Sequence, residues 1–341
     1  MLVIVSVLGS PYAVLHESQT NGQTTAWQWT APPGVTQLAE ILVVAGEKGP
    51  TCLALSAMLR HKNRAGPAQK AKHRLTLLFS STFHMPGGGG GGGDVGGGGG
   101  AGGFVHKTHY PVTPGTTYTI VVGKGGAGGK GYSLNEDGLN GDDSSFSGPD
   151  SQTALTAYGG GGGLSEGGSY LSSGGSGGGK TTRHTIVTGV VVPAGTSTTK
   201  GTNQGFPGGN GVVVQPGTFT IAGGGGGAGG VGQDGVGPDP RSSCGGAGGP
   251  GVQYDITGVM TWYAAGGGGG SAYCGGAAGL GGSGAGGSFL DAYYATTPPT
   301  QKTIEPKPGR PDSGDGGGGT TSGYVGGQGA SGGSGIVIIR Y

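Results

Sequence analysis

The sequence predicts an all-β protein: a small antiparallel β-sandwich formed by N-terminal and C-terminal strands, joined to a bundle of polyproline II-type glycine helices. Three observations predict it. Short runs rich in Val, Ile, Thr, Tyr and Trp, bounded by Gly and Pro, stand at both ends of the chain. Between them lie glycine tracts at 87–93, 96–100, 159–163, 223–227, 266–270 and 316–319. Charged residues are only 10% of the chain and the net charge is +1, so neither a polyelectrolyte nor an ordinary charged globular surface fits.

The strands can be taken in order. Ala26–Thr30 (AWQWT) is the first clear one, and Pro32-Pro33-Gly34 turns the chain after it. Ala39–Ala45 (AEILVVA) follows. Phe104–Tyr110 and Thr116–Val122 read as a hairpin around Pro114-Gly115. The last strand is Ile336–Tyr341, which must cross back over the whole chain to pair with the early ones. Shorter β-like segments punctuate the tracts at Thr185–Val192, Thr218–Ala222 and Val259–Ala265. The opening MLVIVSVLGSPYAVLHES fits a signal-peptide core without a basic flank, and fits a buried strand equally well.

The tracts set the energetic problem. Of 341 residues 92 are glycine, and ordering them costs on the order of 100–200 kcal/mol at about 1–2 kcal/mol each. Glycine has no side chain to bury, so the apolar term cannot offset this. A flexible linker is one answer. The other is a polyproline II helix, with three residues per turn and N–H and C=O groups radiating outward. Without Cβ atoms such helices approach until those groups pair between neighbours, each bond contributing about 0.5–1.5 kcal/mol net. Several tracts of similar length suit a bundle. Collagen is excluded, because no strict Gly-X-Y period holds and there are only 20 prolines.

The organisation that follows is N-terminal strands in 1–46, a basic insertion in 47–86, strands and a hairpin with the first glycine tracts in 87–158, a glycine-rich bundle with loops in 159–335, and a closing strand in 336–341. The insertion is poor in glycine, and its removal would join Val43-Val44-Ala45-Gly46 directly to Gly87. It reads as a segment of the kind an unspliced intron leaves.

No motif points to catalysis, and the sequence reads as a non-enzyme without a cofactor. Gly174–Thr181 (GGSGGGKT) satisfies the phosphate-loop pattern in letters, but the β-like TRHTIVTGVVV after it offers no helix N-terminus. In so glycine-rich a chain this is a chance match. The acidic stretch 135–145 lacks the spacing of an EF-hand loop. An irregular calcium site on Asp137, Asp142 and Asp143 and a plain polar turn are its two readings. Cys244 and Cys274 form a candidate disulfide in an oxidising compartment, or remain thiols. Tyr254, Trp262, Tyr273, Tyr293, Tyr294 and Tyr324 stand beside late glycine tracts. They are candidate receptor-contact aromatics if exposed, and packing residues otherwise. No run approaches the ~18 apolar residues of a membrane span, and no arginine–aromatic interleaving suggests a nucleic-acid partner.

WQWTAPPGVTQLAEILVVAG, a glycine tract, and GAGGFVHKTHYPVTPGTTYTIVVGKGGAGG follow one another; GLNGDDSSF and the terminal GGSGIVIIRY come later. Together they resemble the glycine-rich domain of bacteriophage tail-fibre and viral structural proteins, over residues 26–46 and 87–341. The resemblance implies a sandwich with a stack of glycine helices, and a surface-attachment role in which variable loops meet the receptor. The segment 47–86 departs from that pattern. The expected setting is extracellular or on a virion, with a virion fibre, a cell-surface glycan or protein receptor, or further copies of the chain as partners. Two alternatives stay beside it: a subunit of a self-assembling extracellular filament, with Ile336–Tyr341 as the exchanged strand, and a disordered glycine-rich matrix protein.

Overall fold

The computed structural model describes residues 3–6, 26–44, 95–130, 136–149, 154–165, 174–181, 204–215, 219–237, 244–271, 276–277, 279–282, 284, 286, 288–289, 303–320 and 328–341. The segment 47–86, the tract 87–93 and the β-like segment 185–192 lie outside them. Among the described residues the chain is all-β, without a helix.

Eight strands build two four-stranded sheets. The first holds β1 (Val3–Ser6), β3 (Gln37–Val44), β4 (Phe104–Pro111) and β14 (Ile336–Arg340), in the order β1-β14-β3-β4. The second holds β2 (Ala26–Thr30), β5 (Thr117–Val121), β6 (Ser144–Ser147) and β7 (Leu155–Ala157), in the order β2-β5-β6-β7. Every ladder in both sheets is antiparallel except β1–β14, where Val3 runs parallel beside Val337. Among the described residues there are also three two-stranded ladders: β8 (Val212–Gln215) with β9 (Phe219–Ile221), β10 (Val252–Tyr254) with β11 (Thr261–Tyr263), and β12 (Ser288–Phe289) with β13 (Thr303–Ile304).

The strand ends match the sequence reading closely, but one pairing does not. The runs 104–110 and 116–122 are not a hairpin. β4 joins β3 in one sheet, and β5 joins β2 in the other. The turn at Gly115, with φ 74°, carries the chain between sheets, as Gly34, with φ 85°, does from β2 to β3. The reason is burial: Tyr110 and Val112 on one side of the turn and Tyr118 on the other enter the same core, so their faces oppose each other and their edges pair elsewhere. The two crossings are tied together by Ala31 N–H to Thr116 and Gly115 N–H to Ala31, at 3.0 and 2.8 Å.

That core draws on both sheets: Trp29, Ile120 and Phe146 from one, Leu38, Ile41, Val43, Val337 and Ile339 from the other. Trp29 is its hub, with ring centroids of Tyr118, Phe146 and Tyr341 at 5.7, 6.3 and 5.6 Å; such ring pairs add about 0.5–1.5 kcal/mol each. The alternate residues Leu42, Val44, Ile336 and Ile338 face the opposite way, into a second core with Ile256, Tyr263 and Ala264. The first sheet is therefore covered on both faces, which explains the unbroken Ile-Val-Ile-Ile of β14. The alternation slips by one between Leu38 and Ile41, opposite His109, whose φ is 53°.

Candidate functional site

The glycine tracts run directly out of the strands. Gly103 leads into β4, Val121 leads out of β5, Asp143 leads into β6, and Gly335 leads into β14. Each tract therefore has an end at the sheets and a far end, and their hydrogen bonds reveal how they sit together. In the tract 96–103, Gly96, Gly99 and Gly102 donate to Thr320, Gly317 and Gly314. Gly97, Gly100 and Gly103 donate to Leu164, Gly161 and Tyr158, while Gly98 and Ala101 donate to Gly223 and Gly226. Every third N–H thus meets the same neighbour, and three successive residues face three different tracts.

The same rule governs 222–228. Ala222, Gly225 and Ala228 donate to Gly270, Gly267 and Ala264; Gly223 and Gly226 to Lys180 and Gly177; Gly224 and Gly227 to Gln233 and Gly230. Its carbonyls accept from other tracts in turn: Gly98 and Ala101, Phe206 and Gly209, and Gly246 and Gly249. A central tract is so enclosed by six others, donating to some and accepting from the rest. Its interior consists of peptide groups, and glycine is required there sterically. A Cβ on Gly225 would fall on the carbonyl of Gly99, and one on Gly267 on the carbonyl of Gly317. Alanine enters where a tract meets the sheet, as at Ala101 and Ala264 in the second core.

Between the tracts 137–143 and 159–165, where Gly138 and Gly141 donate to Gly163 and Gly160, side chains complete the pairing. Asp143, Asn140 and Asp137 accept the N–H groups of Gly159, Gly162 and Ser165 at 2.8, 2.9 and 2.7 Å, again three apart. Asp234 does the same for Asn210 at 2.6 Å. Burial pushes the Asp137 carboxyl above its ordinary value, partly opposed by its bonds from Ser165. The acidic stretch is thus itself a tract, paired with 159–165 through both backbone and side chains. No group of three metal-ligating side chains occurs among the described residues.

The phosphate-loop match is a tract as well. Gly175, Ser176, Gly177, Gly179 and Lys180 donate their N–H groups to Gly159, Ala101, Phe206, Gly98 and Gly209, which leaves those amides engaged rather than aimed at an anion. The Lys180 side chain is largely buried and its pKa is lowered by that burial.

At the sheet end, a polar anchor holds β10–β11 in place. Asp315, wholly buried, accepts from Ala265 N–H at 3.0 Å and from the Arg310 guanidinium at 2.6 Å, while Arg310 also reaches the Trp262 carbonyl at 3.0 Å. This network was not legible in the sequence, where Asp315 looks like any loop acid. Tyr254 lies here too, its ring against Phe104 and His106 and its hydroxyl 2.7 Å from His106 Nε2. Trp262 packs its ring over Gly281. Tyr273, Tyr293, Tyr294 and Tyr324 lie outside the described residues, as does Cys274. Cys244 is half-buried at the far end, its backbone bridged to Val236.

Far-end bridges join Lys130 to Gln328, Ile221 to Ser271 and Val236 to Cys244. Lys130, Ser271, Cys244 and Gln328, next in sequence to 131–135, 272–275, 238–243 and 321–327, are thus all at this far end.

The family model described as a glycine-rich domain matches residues 81–341. The chain belongs to that glycine-rich domain family. The match includes the tracts, β4–β14 and the Asp315 anchor, while β1, β2 and β3 precede it. The glycine-rich domain of this chain thus receives β3 as an interior strand from outside the matched span. No curated protein matches the chain. No helix among the described residues is long and apolar enough to cross a membrane.

Proposed function

We propose that this is an extracellular or virion-surface structural and adhesive protein, in which a rigid glycine bundle carries attachment loops. The two sheets act as a β-sandwich base, and the tracts act as polyproline II-type helices. The observation that carries this reading is the three-residue period of the inter-tract hydrogen bonds, which is the period of that helix. A lattice of peptide groups, bonded in three directions, is stiff without side chains. It leaves loop sequence free, because the loops begin where the lattice ends. Loops so placed suit recognition of a glycan or protein surface, and rigid presentation lowers the entropy lost on binding.

The test replaces residues 131–135, 238–243 and 272–275 together with Gly-Ser linkers of equal length. Adhesion to cells of the native setting should disappear while the melting temperature stays within a few degrees. Retained adhesion would remove the loops from the proposal.

A second reading is a self-assembling extracellular filament. It is favoured by the parallel strand laid against β14 at the edge of the first sheet. Electron microscopy of material from the native source separates the two: compact particles or fibre tips favour attachment, and uniform filaments favour assembly.

A further inference from the structure

We propose that β1 is an exchange strand, which one copy of this chain inserts beside β14 of the next. The proposal rests on the filament reading and supplies its joint. β14 is interior, between β1 and β3, with Ile336–Ile339 almost wholly buried. It belongs to the body of its own sheet, and its departure would open a ladder on each side. β1 differs from it in every respect that matters for exchange. It occupies the sheet edge, its one ladder partner among the described strands is β14, and that ladder is four residues long. It is also the parallel member of a sheet whose other ladders are antiparallel.

The length of chain between β1 and β2 is sufficient for exchange. Residues 7–25, nineteen in all, join β1 in the first sheet to β2 in the second. Packed sheets lie only about 10 Å apart, whereas nineteen residues can extend about 60 Å. A domain of this length has a radius of gyration near 20 Å, so the same strand can reach β14 of an adjoining copy. Exchange preserves the register Val3 to Val337 through Ser6 to Arg340, and therefore the same backbone bonds. Without a strand there, β14 presents an open edge of apolar sequence, a template that proteins seldom leave uncovered. Giver and receiver sites differ, so each contact is head-to-tail: two copies that give to each other close as a pair, whereas copies that each give to a third do not. Repetition of the second arrangement gives an open chain.

The experiment uses the full chain with Cys52, Cys244 and Cys274 replaced by serine. One preparation carries Val3→Cys and a second, differently tagged, carries Val337→Cys. The two are mixed, oxidised mildly and run on a non-reducing gel. The expected result is a cross-linked pair containing both tags, absent when either preparation is oxidised alone. A double variant with both cysteines that closes only within one chain, with no two-tag product from the mixture, overturns the proposal. Removal of residues 1–6 supplies a second readout. Such a copy can receive but not give, so adding it at one-tenth of the total should shorten assemblies several-fold. Unchanged lengths overturn the exchange. Filaments without the two-tag product defeat this joint and leave the filament reading standing, whereas monomers at every concentration defeat both.

Discussion

Two kinds of glycine do different work in this chain. Gly34 has φ 85° and nothing within 4 Å of where a Cβ would stand, so its requirement is conformational. Gly34→Ala should cost about 1–2 kcal/mol, the penalty of a left-handed L-residue. Gly225 has its Cβ direction occupied by the backbone of Gly99. Gly225→Ala must push two tracts apart and should cost about 3 kcal/mol, at the upper end of overpacking. Chemical denaturation of both variants checks the order, and equal losses would argue against a close-packed bundle. Asp137 adds a pH signature. Burial raises its carboxyl above the ordinary 3.8, so the folded state favours the protonated form. Its contribution to stability is present below that value and is lost as pH rises through the folded pKa. Asp137→Asn keeps the acceptor for Ser165 and cannot ionise. The difference in melting temperature between variant and parent should therefore grow in the variant's favour as pH rises through that window.

At the scale of elements, the Asp315–Arg310 anchor ties β11 to the tract 314–320 and to the start of 264–270. Asp315 is fully buried while the Arg310 side chain keeps about a third of its surface exposed, at 34%. After Asp315→Ala, Arg310 can turn to water but Ala265 N–H cannot. The expected loss is about 3 kcal/mol, the low end for breaking a buried pair, and Arg310→Ala should cost as much or more, since it leaves the buried carboxylate without its cation. Urea unfolding of the two variants measures this. Elements were also where the sequence was most readable. AWQWT, AEILVVA and IVIIRY announce themselves through β-branched and aromatic runs bounded by Pro and Gly. β6 and β7 escaped notice, because SSFS and LTA are too short and polar to show a period. The runs 104–110 and 116–122 read as a hairpin because a Pro-Gly turn between two strands fixes the direction change without saying whether edges or faces meet. Asp143 and Asn140 were visible as acids and amides, but their three-residue spacing gains meaning only once the facing tract is known.

For the whole molecule, the decisive question is whether the tracts are ordered as one body with the sheets. Hydrogen exchange by mass spectrometry should find amides of 98–101, 224–227 and 266–270 protected to within tenfold of those in β3 and β14. Exchange at the rate of free peptide in those tracts would instead return the chain to the matrix-protein class. The sheets and the lattice share residues, since Ala101 and Ala264 lie in the second core with Leu42 and Ile338, so both should unfold in a single transition.

The six-neighbour surroundings of the central tracts have a thermal consequence. Unfolding an ordinary core exposes hydrocarbon and raises the heat capacity, whereas exposing peptide groups lowers it. A large share of what this molecule uncovers is peptide, so its heat-capacity increment per residue should fall well below the usual 12–15 cal/mol/K. The stability curve would then be broad and shallow, with little weakening on cooling. A particle or fibre built this way would hold its shape in cold water and warm water alike, and scanning calorimetry would read that directly.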